Sequence, residues 1–502
     1  MNRPSRPMGP PTGAAAPELV ESGFELENAD APFLHQGLNQ ADVAHLLDLH
    51  RRGLVPDPAA RDLMRLLLEV YDTEAVEFPY RAEYGEPYNS RERYFVERLG
   101  NVAGWLHAGR PRRESARIAL RLYVRRQLLD LVDEVTSFAR ETTELAGRHV
   151  HTLMPDQTYL QQAQPSTFGH YALSFVYPVV RDARRLLEEL DWVNRSPGGA
   201  GCVNGTRLLD DRTQIAAALG FHDVIEHTRD AMWQIDGLVH ILATAASLVS
   251  TQSKLAEDLE IWASSEFDFV DLDDAFTRAS VLMPQKRNPY SLAIVRGASG
   301  VLIGRLTGFL AVAKSPSARS DNLIFAYGEV PRALDLCIRV TRLMSGLVRT
   351  LRVNGRRMRE ELEAGYTQAT DLCEFIVVTC GVDYRSAYDV VGRTVREAAA
   401  LGIPGREITG AMLDKVALAE TGRSWGLTGQ DLDPALDPLA IVESRTGLGG
   451  AASESVEAMV EQCTELVGAL DQDVSRRRRA LARAERDLLV RARRLAGLEE
   501  VS

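Results

Sequence analysis

Apolar residues recur at helical spacing along most of the chain, and the alternation typical of strands is almost absent. Between residues 40 and 76 two such runs are separated by Pro56 and Pro58, which predicts two short helices. Longer patterned stretches over 91–108, 114–145, 223–263, 291–314 and 334–352 predict longer helices. The pattern therefore indicates an all-α protein.

Two of these stretches are apolar on more than one face. Leu238 and Val249 in 223–263 belong to an apolar stripe that is too wide for a single buried seam, and so do Val301 and Phe309 in 291–314. Burial on several sides is typical of the core of a multi-helix bundle. We expect this bundle to be shared with other copies of the chain.

The composition and net charge of the chain exclude some classes of binding partner from those expected. The chain has 502 residues, 45% hydrophobic and 25% charged, with a formal net charge of −12. This charge repels nucleic acid and anionic membranes, so neither is an expected partner. The longest uncharged stretch, 237–253, falls short of the roughly 20 apolar residues of a membrane span. An anionic substrate would need a locally positive pocket.

The cysteines and the first residues indicate a compartment. Five cysteines are odd in number and scattered, without metal-ligand spacing, so free thiols in a reducing cytoplasm are the simplest account. Residues 1–17 are rich in Pro, Gly and Ala without an apolar core region, which favours a flexible tail over a signal peptide. We expect a cytoplasmic protein.

Candidate chemistry is concentrated in residues 280–289. Two prolines there disfavour helix and predict a loop that leads into a helix N-terminus. Lys286 and Asn288 then lie near free N–H groups, an arrangement suited to holding a carboxylate. Ser280 is a candidate nucleophile or proton acceptor. On local residues alone, a surface loop with a chance Ser and Lys explains the stretch equally well.

Three other stretches carry polar side chains in unusual density. Arginines at 110, 112 and 113 open a predicted helix, where cations oppose the helix dipole unless an anion binds between them; a solvated basic turn is the alternative. Residues 154–170 are crowded with Gln and Thr, which suits fixed hydrogen bonding or a polar surface loop. Residues 197–206 are glycine-rich, which is typical of a phosphate-binding loop. They lack the Gly-Lys-Ser/Thr ending of such a loop and a preceding strand, so a linker between two long helices is the alternative.

The sequence Ala-Ser-Val-Leu-Met-Pro-Gln-Lys-Arg-Asn-Pro at 279–289 resembles the signature loop of the aspartase/fumarase superfamily. Members of that superfamily eliminate an amine or hydroxide from a substituted succinate and leave fumarate. The resemblance implies that Ser280 is the base that removes the Cβ proton. It also implies that Lys286 and Asn288 bind the carboxylate that takes up the charge, and that Met283 in the same loop binds the substrate.

Further stretches are similar to argininosuccinate lyases. The turn before residue 114 is similar to a substrate loop in which Ser-Arg-Asn stands where this chain has Pro-Arg-Arg. The Gln-rich stretch resembles Thr-His-Leu-Gln, with Tyr in place of His. Resemblance continues through the glycine-rich stretch and over 370–450. It implies substrate-binding roles for Arg112, Arg113, Thr158, Tyr159, Gln161 and Asn204.

The family implies an all-α, three-domain fold with a central bundle of long helices. It also implies a homotetramer whose active sites draw loops from three chains. The domain boundaries expected on this basis are 1–112 for an N-terminal helical domain, 113–363 for the central bundle with the signature loop, and 364–502 for a small C-terminal domain. No cofactor and no metal are implied.

The substrate expectation comes from departures from argininosuccinate lyases. Residues 314–329 keep almost none of the contacts those enzymes make to the arginine part of their substrate, and Arg113 adds a cation beside Arg112. This favours an N-substituted aspartate whose amine part carries more carboxylates, as in ethylenediamine-N,N'-disuccinate (EDDS) lyases, which release fumarate and N-(2-aminoethyl)aspartate. Argininosuccinate cleavage and a catalytically silent, crystallin-like role are the alternatives.

Overall fold

A computed structural model of the chain describes residues 13–314 and 325–498, and within these ranges it is mostly helical, as predicted. The helices are α1 Pro17–Leu19, α2 Glu25–Asn28, α3 Ala31–Arg51, α4 Asp57–Tyr71, α5 Pro87–Leu99, α6 Arg112–Arg148, α7 Phe168–Val193, α8 Thr213–Ala218, α9 Thr228–Trp233, α10 Asp236–Trp262, α11 Tyr290–Ala313, α12 Glu329–Thr350, α13 Gly355–Ala364, α14 Ala369–Cys380, α15 Tyr384–Ala400, α16 Gly410–Thr421, α17 Gly429–Leu436, α18 Pro438–Glu443 and α19 Ser453–Ala496. The strands are β1 Leu153–Thr158, β2 Gln161–Thr167, β3 Arg195–Ser196, β4 Asp223–Val224, β5 Val270–Asp271, β6 Arg278–Ala279, β7 Arg287–Asn288 and β8 Arg352–Val353.

The centre of the molecule is a bundle of the longest helices, α6, α7, α10, α11, α12 and α19. Helix α6 has 37 residues, which at about 1.5 Å per residue makes it roughly 55 Å long. Its Leu128, Val132 and Val135 are fully buried in one apolar cluster with side chains of the other five helices. The expected multi-helix core is therefore present within a single chain.

Two smaller apolar clusters flank the bundle. One joins α3 and α4 to the start of α6, α8 and the end of α19. The other is formed by α14, α15, α16 and α17. Helix α19, which the expected boundaries group with the C-terminal domain, packs in the bundle and the N-terminal cluster, because Cys463, Val467 and Leu488 face those cores.

The predicted helix bounds needed correction in three places. The first short helix, expected from residue 40, begins at Ala31. The helix expected over 91–108 is α5 followed by 3-10 turns over Gly100–His107, because Gly100 takes a φ of 56° and ends the α-helix. The helix expected over 223–263 is shortened to α10, since residues 223–233 form a strand and the short α9.

The described chain also contains four two-stranded pairs that helical spacing did not predict. β1 pairs with β2, β5 with β8, and β6 with β7 antiparallel, while β3 and β4 run parallel. Two of these pairs, β1 with β2 and β6 with β7, carry most of the candidate site residues.

Helix α11 has an exposed apolar face. Val301, Ile303 and Leu310 are each about half exposed. Of the described helices, α11 is the one long and apolar enough to cross a membrane, a test of length and composition that core helices of water-soluble proteins also meet. Nothing within the described chain covers this face, although bundle helices usually bury theirs.

Candidate active site

The signature stretch folds as a small hairpin that leads into α11, which confirms the predicted loop and helix start. Ser280 follows β6 directly, and the turn runs to Lys286 before β7. Arg287 fixes the base of the hairpin through carboxylates of Asp271 at 3.1 Å and Asp274 at 2.6 Å. The base is therefore anchored while the turn extends outward.

The hydroxyl of Ser280 faces a backbone donor. The N–H of Met283 donates to Ser280 Oγ at 3.0 Å, and the N–H of Lys286 donates to the Met283 carbonyl at 3.1 Å. A donor already aimed at the oxygen stabilises negative charge that develops on it. The Lys286 side chain is exposed, six residues after Ser280 in the same turn.

The rest of the hairpin turn is open. Asn288 donates from its side-chain amide to the Arg278 carbonyl at 2.9 Å, which closes the hairpin and leaves one amide hydrogen for another acceptor. Val281 and Leu282 at the tip are fully and largely exposed, and Met283 is 41% exposed. Apolar side chains so exposed are typical of a contact surface.

Arg112 and Arg113 open α6, as predicted. Arg112 Nε lies 2.6 Å from a carboxylate oxygen of Glu86, and the Arg113 guanidinium lies 5.7 Å from the centre of the Trp233 ring. The expected anion beside Arg112 is thus supplied in part by the chain itself.

A buried ionic network holds the turn that precedes α6. The Asp42 carboxylate accepts from Arg91 at 2.7 Å and from Arg110 at 2.5 Å, and all three side chains are buried. Arg110 also donates to the hydroxyl of Tyr88 at 3.0 Å. Two guanidinium groups around one carboxylate fix the position at which α6 begins.

Glu114 ties the glycine-rich stretch to the start of α6. Its carboxylate oxygens accept from the N–H groups of Gly199 and Gly201, each at 2.7 Å. Burial raises the pKa of Glu114 to about 7, against the opposing effects of these N–H donors and of Arg110. Asn204 is exposed in the stretch that Glu114 holds. This stretch is therefore anchored to the start of α6, the helix that Arg112 and Arg113 open.

Thr158 and Gln161 flank the turn of the β1–β2 hairpin. The two turn residues, Tyr159 and Leu160, have φ of 54° and 58°, the left-handed backbone that a two-residue hairpin turn requires. Tyr159 is 99% exposed. The predicted polar loop is therefore a hairpin whose tip presents Thr158, Tyr159 and Gln161 outward.

The structure brings some of these residues together and leaves others apart. Glu114 follows Arg113 on α6 and holds the glycine-rich stretch that contains Asn204 against the start of this helix. Within residues 13–314 and 325–498, no hydrogen bond or ion pair joins the Ser280 turn to Arg112 or to the Tyr159 turn. Most of the 314–329 stretch on which the substrate expectation relies lies outside the described residues.

Other polar groups near the arginines escaped the sequence analysis. A cavity of about 300 Å³ opens beside them, lined in part by Glu27, Arg117 and Tyr327. The four-residue spacing of Arg113 and Arg117 on one helix was a usable signal. Glu114 and Glu27 gave none, because their importance comes from burial. Among the described residues, no group of three or more His, Cys, Asp or Glu is arranged to hold a metal.

Comparison with known proteins shows the family to which the chain belongs. A family model described as Lyase matches residues 79–304, and one described as argininosuccinate lyase C-terminal matches 366–443. The argininosuccinate lyase of Methanothrix thermoacetophila is 32% identical over 424 residues, 84% of this chain and 85% of the relative. That of Geobacillus thermodenitrificans is 30% identical over 464 residues, 91% and 99% of the two chains.

Solved structures extend the comparison to the fold. An EDDS lyase double variant with bound fumarate matches with a TM-score of 0.86 at 28% identity, over 97% of both chains. EDDS lyase in complex with formate matches with a TM-score of 0.85 over the same shares.

Fold and site together define a carbon–nitrogen lyase that releases fumarate, built on the aspartase/fumarase fold. Within that class, the chain belongs to the argininosuccinate lyase family. The roles of the individual site residues stay predictions.

Proposed function

We propose that this lyase cleaves EDDS to fumarate and N-(2-aminoethyl)aspartate, reversibly. The proposal is supported by the likeness to EDDS lyase and by the two adjacent cations Arg112 and Arg113 at the start of α6. A pair of guanidinium groups binds carboxylates well, often through two parallel hydrogen bonds, and is a poor neighbour for an arginine side chain.

The observation that carries the proposed chemistry is the Met283 N–H aimed at Ser280 Oγ. Ser280, as the alkoxide, takes the Cβ proton of the aspartate part. The adjacent carboxylate becomes a dianion held by Lys286 and Asn288. A double bond then forms between Cα and Cβ while the C–N bond breaks and its electron pair leaves with nitrogen, which is protonated. One donor of this kind is typically worth ~3 kcal/mol in the transition state.

The remaining predicted residues hold the substrate. Arg112, Arg113 and Asn204 would bind its carboxylates from the α6 side, and Thr158 and Gln161 from the β1–β2 turn. Tyr159 stands where relatives have a histidine, so its phenol replaces a ring nitrogen as a hydrogen-bonding group. With an amine as leaving group, solvent suffices as proton donor.

Argininosuccinate is the second candidate substrate, favoured by the identity with argininosuccinate lyases. The test measures fumarate release from EDDS and from argininosuccinate by absorbance, on the same enzyme preparation. We expect a higher kcat/KM for EDDS. A higher value for argininosuccinate would reverse the assignment, and no turnover of either, or of any aspartate adduct, would favour the crystallin-like alternative.

We also propose a cytoplasmic homotetramer with shared sites. Three observations support it: the exposed apolar face of α11, the exposed tip at Val281 and Leu282, and the lack of a hydrogen bond or ion pair between the Ser280 turn and Arg112 among the described residues. The free thiols of all five cysteines fit a reducing compartment. For the proposed reaction, the Ser280 turn and Arg112 must meet at one site. Partner chains would therefore supply the residues that a single chain does not bring together.

Mixing inactive variants tests the sharing of sites. Ser280→Ala and Arg112→Ala are each expected to be inactive alone. After the two are unfolded and refolded together, hybrid assemblies should contain some sites with both native residues and regain activity. Light scattering gives the assembly size, and a mixture that stays inactive although hybrids form would contradict sharing.

A further inference from the structure

The cavity beside the arginines lies between the N-terminal segment, the turn at Glu86, and the first turns of α6. It measures about 300 Å³, and its walls include Glu27, Arg113, Arg117 and Tyr327. Arg112 lines it as well, so it adjoins the residues proposed to hold the carboxylates of the substrate. Charged walls of both signs indicate a ligand that is itself charged.

Arg117 carries a charge that the described chain does not neutralise. Its guanidinium lies 3.6 Å from the centre of the Tyr327 ring, and its Nε is 3.5 Å from the Met232 carbonyl. It forms no ion pair with any described residue, whereas Arg112 nearby is paired with Glu86 at 2.6 Å. Burial lowers the pKa of Arg117, yet a guanidinium keeps its proton in proteins. An anion in the cavity would compensate this charge.

Tyr327 offers a second unused donor at the same place. Its hydroxyl is buried and has no hydrogen-bond partner among the described residues. Burial raises the pKa of Tyr327, so the phenol keeps its proton and can donate. A buried polar atom without a partner is costly and usually marks a missing ligand or water.

The acidic side chains that line the cavity also differ in whether an arginine is paired with them. Asp30 is paired with Arg332 at 2.7 Å, and Glu86 is paired with Arg112. Glu27 is half-buried, and burial together with the neighbouring Glu86 raises its pKa to about 7. A carboxyl group in this state gains a full charge when an ammonium group binds beside it.

We propose that this cavity binds the amine half of the substrate, with a carboxylate of that half at Arg117 and Tyr327 and its ammonium group at Glu27. The preferred amines are therefore those that carry a carboxylate, that is, amino acids. This inference rests on the proposed function, since it concerns the specificity of the same site. It makes Arg117 a specificity residue that the sequence analysis did not select.

The test uses the reverse reaction with two amines that differ by one carboxylate. N-(2-aminoethyl)glycine carries it, and N-methylethylenediamine does not. Fumarate consumption is followed by absorbance on the full-length enzyme. Arg117→Gln should raise KM for the first amine roughly 10- to 100-fold, the loss of one charge-assisted hydrogen bond, with little change in kcat. KM for the second amine should stay within about twofold of wild type.

Two further variants separate binding from folding. Arg117→Lys keeps the charge and should restore part of the affinity for the first amine. Tyr327→Phe removes only the hydroxyl and should raise the same KM several-fold. Arg339→Gln, whose side chain is 72% exposed on α12, is the matched control and should behave as wild type. Equal loss for both amines in the Arg117 and Tyr327 variants would overturn the inference.

Failure of the proposed function gives a different result. In that event the wild type consumes no fumarate with any amine. The cavity is then tested by calorimetric titration of N-(2-aminoethyl)glycine into wild type and Arg117→Gln. Binding that is lost only in the variant upholds the site, and binding that is absent from both, or equal in both, refutes it.

Discussion

Glu114 provides the sharpest test of how the start of α6 is built. Its carboxylate is completely buried and accepts two N–H groups of the glycine-rich stretch. The perturbation is Glu114→Gln, which keeps the size of the side chain and removes its titration. Gln can still accept one N–H through its carbonyl, but its NH₂ group meets the other donor, a loss that does not depend on pH.

The size of the effect follows from the pKa of Glu114, which rises from 4.5 to about 7 in the folded chain. At about 1.4 kcal/mol per pH unit, this difference corresponds to about 3 kcal/mol. Because the folded state holds its proton more tightly, the contribution is complete below pH 4.5. It is lost as pH rises to about 7. The unfolding free energy of wild type minus that of Glu114→Gln should therefore fall by about 3 kcal/mol across this range.

The assay is urea unfolding followed by circular dichroism at several pH values between about 4.5 and 8, since the shift operates between these limits. Glu226→Gln serves as a control, because that side chain is 72% exposed beside the same glycine-rich stretch. A difference that stays constant, or that grows with pH, would refute the reasoning. It would mean that the two N–H donors outweigh burial and keep Glu114 ionised in acid.

Three further predictions concern activity and packing. Ser280→Ala should leave the circular dichroism spectrum and the unfolding midpoint unchanged while fumarate release falls to background; substantial residual turnover would reject Ser280 as the base. Asp42→Asn leaves two buried guanidinium groups without their carboxylate, so urea unfolding should show a loss of about 3–5 kcal/mol, and a loss under about 1 kcal/mol would argue against the network. Gly237→Ala places a methyl group 2.1 Å from the Trp192 ring and should cost about 1–3 kcal/mol. Gly297→Ala, which meets nothing within 4 Å, is the matched control, and equal stability of the two variants would contradict the packing.

The sequence predicted the fold class because helical spacing is a local property of the chain. It placed α6, α11 and α12 within a few residues of their observed bounds. It could not assign α19 to the bundle, since periodicity says which face is apolar and not which neighbour covers it. The turn at Tyr159 was missed for a related reason: a two-residue hairpin is usually announced by Asn-Gly or a similar pair, and Tyr-Leu gives no such signal.

The same distinction applies to the candidate site: residues marked by a local sequence pattern could be predicted, and residues marked by tertiary contacts could not. Ser280, Lys286 and Asn288 were selected because their loop is continuous in sequence, and Arg112 and Arg113 because they open a helix. Glu114 and Tyr327 became visible only in three dimensions, and Arg117 had only its four-residue spacing from Arg113 as a signal in the sequence. What singles them out is burial, a missing ion pair or a missing hydrogen-bond partner, and each of these depends on residues far away in the chain.

The backbone at Tyr159 and Leu160 bears on how this protein can be engineered. Side chains other than glycine in the left-handed region cost of order 1–3 kcal/mol each, and the fully exposed Tyr159 recovers little of that within its own chain. Laboratory evolution for heat resistance alone should therefore replace this pair early, with Asn-Gly as the obvious outcome. The pair should be retained only when the selection also requires turnover. Retention or loss of Tyr159 and Leu160 therefore distinguishes selection for activity from selection for stability alone.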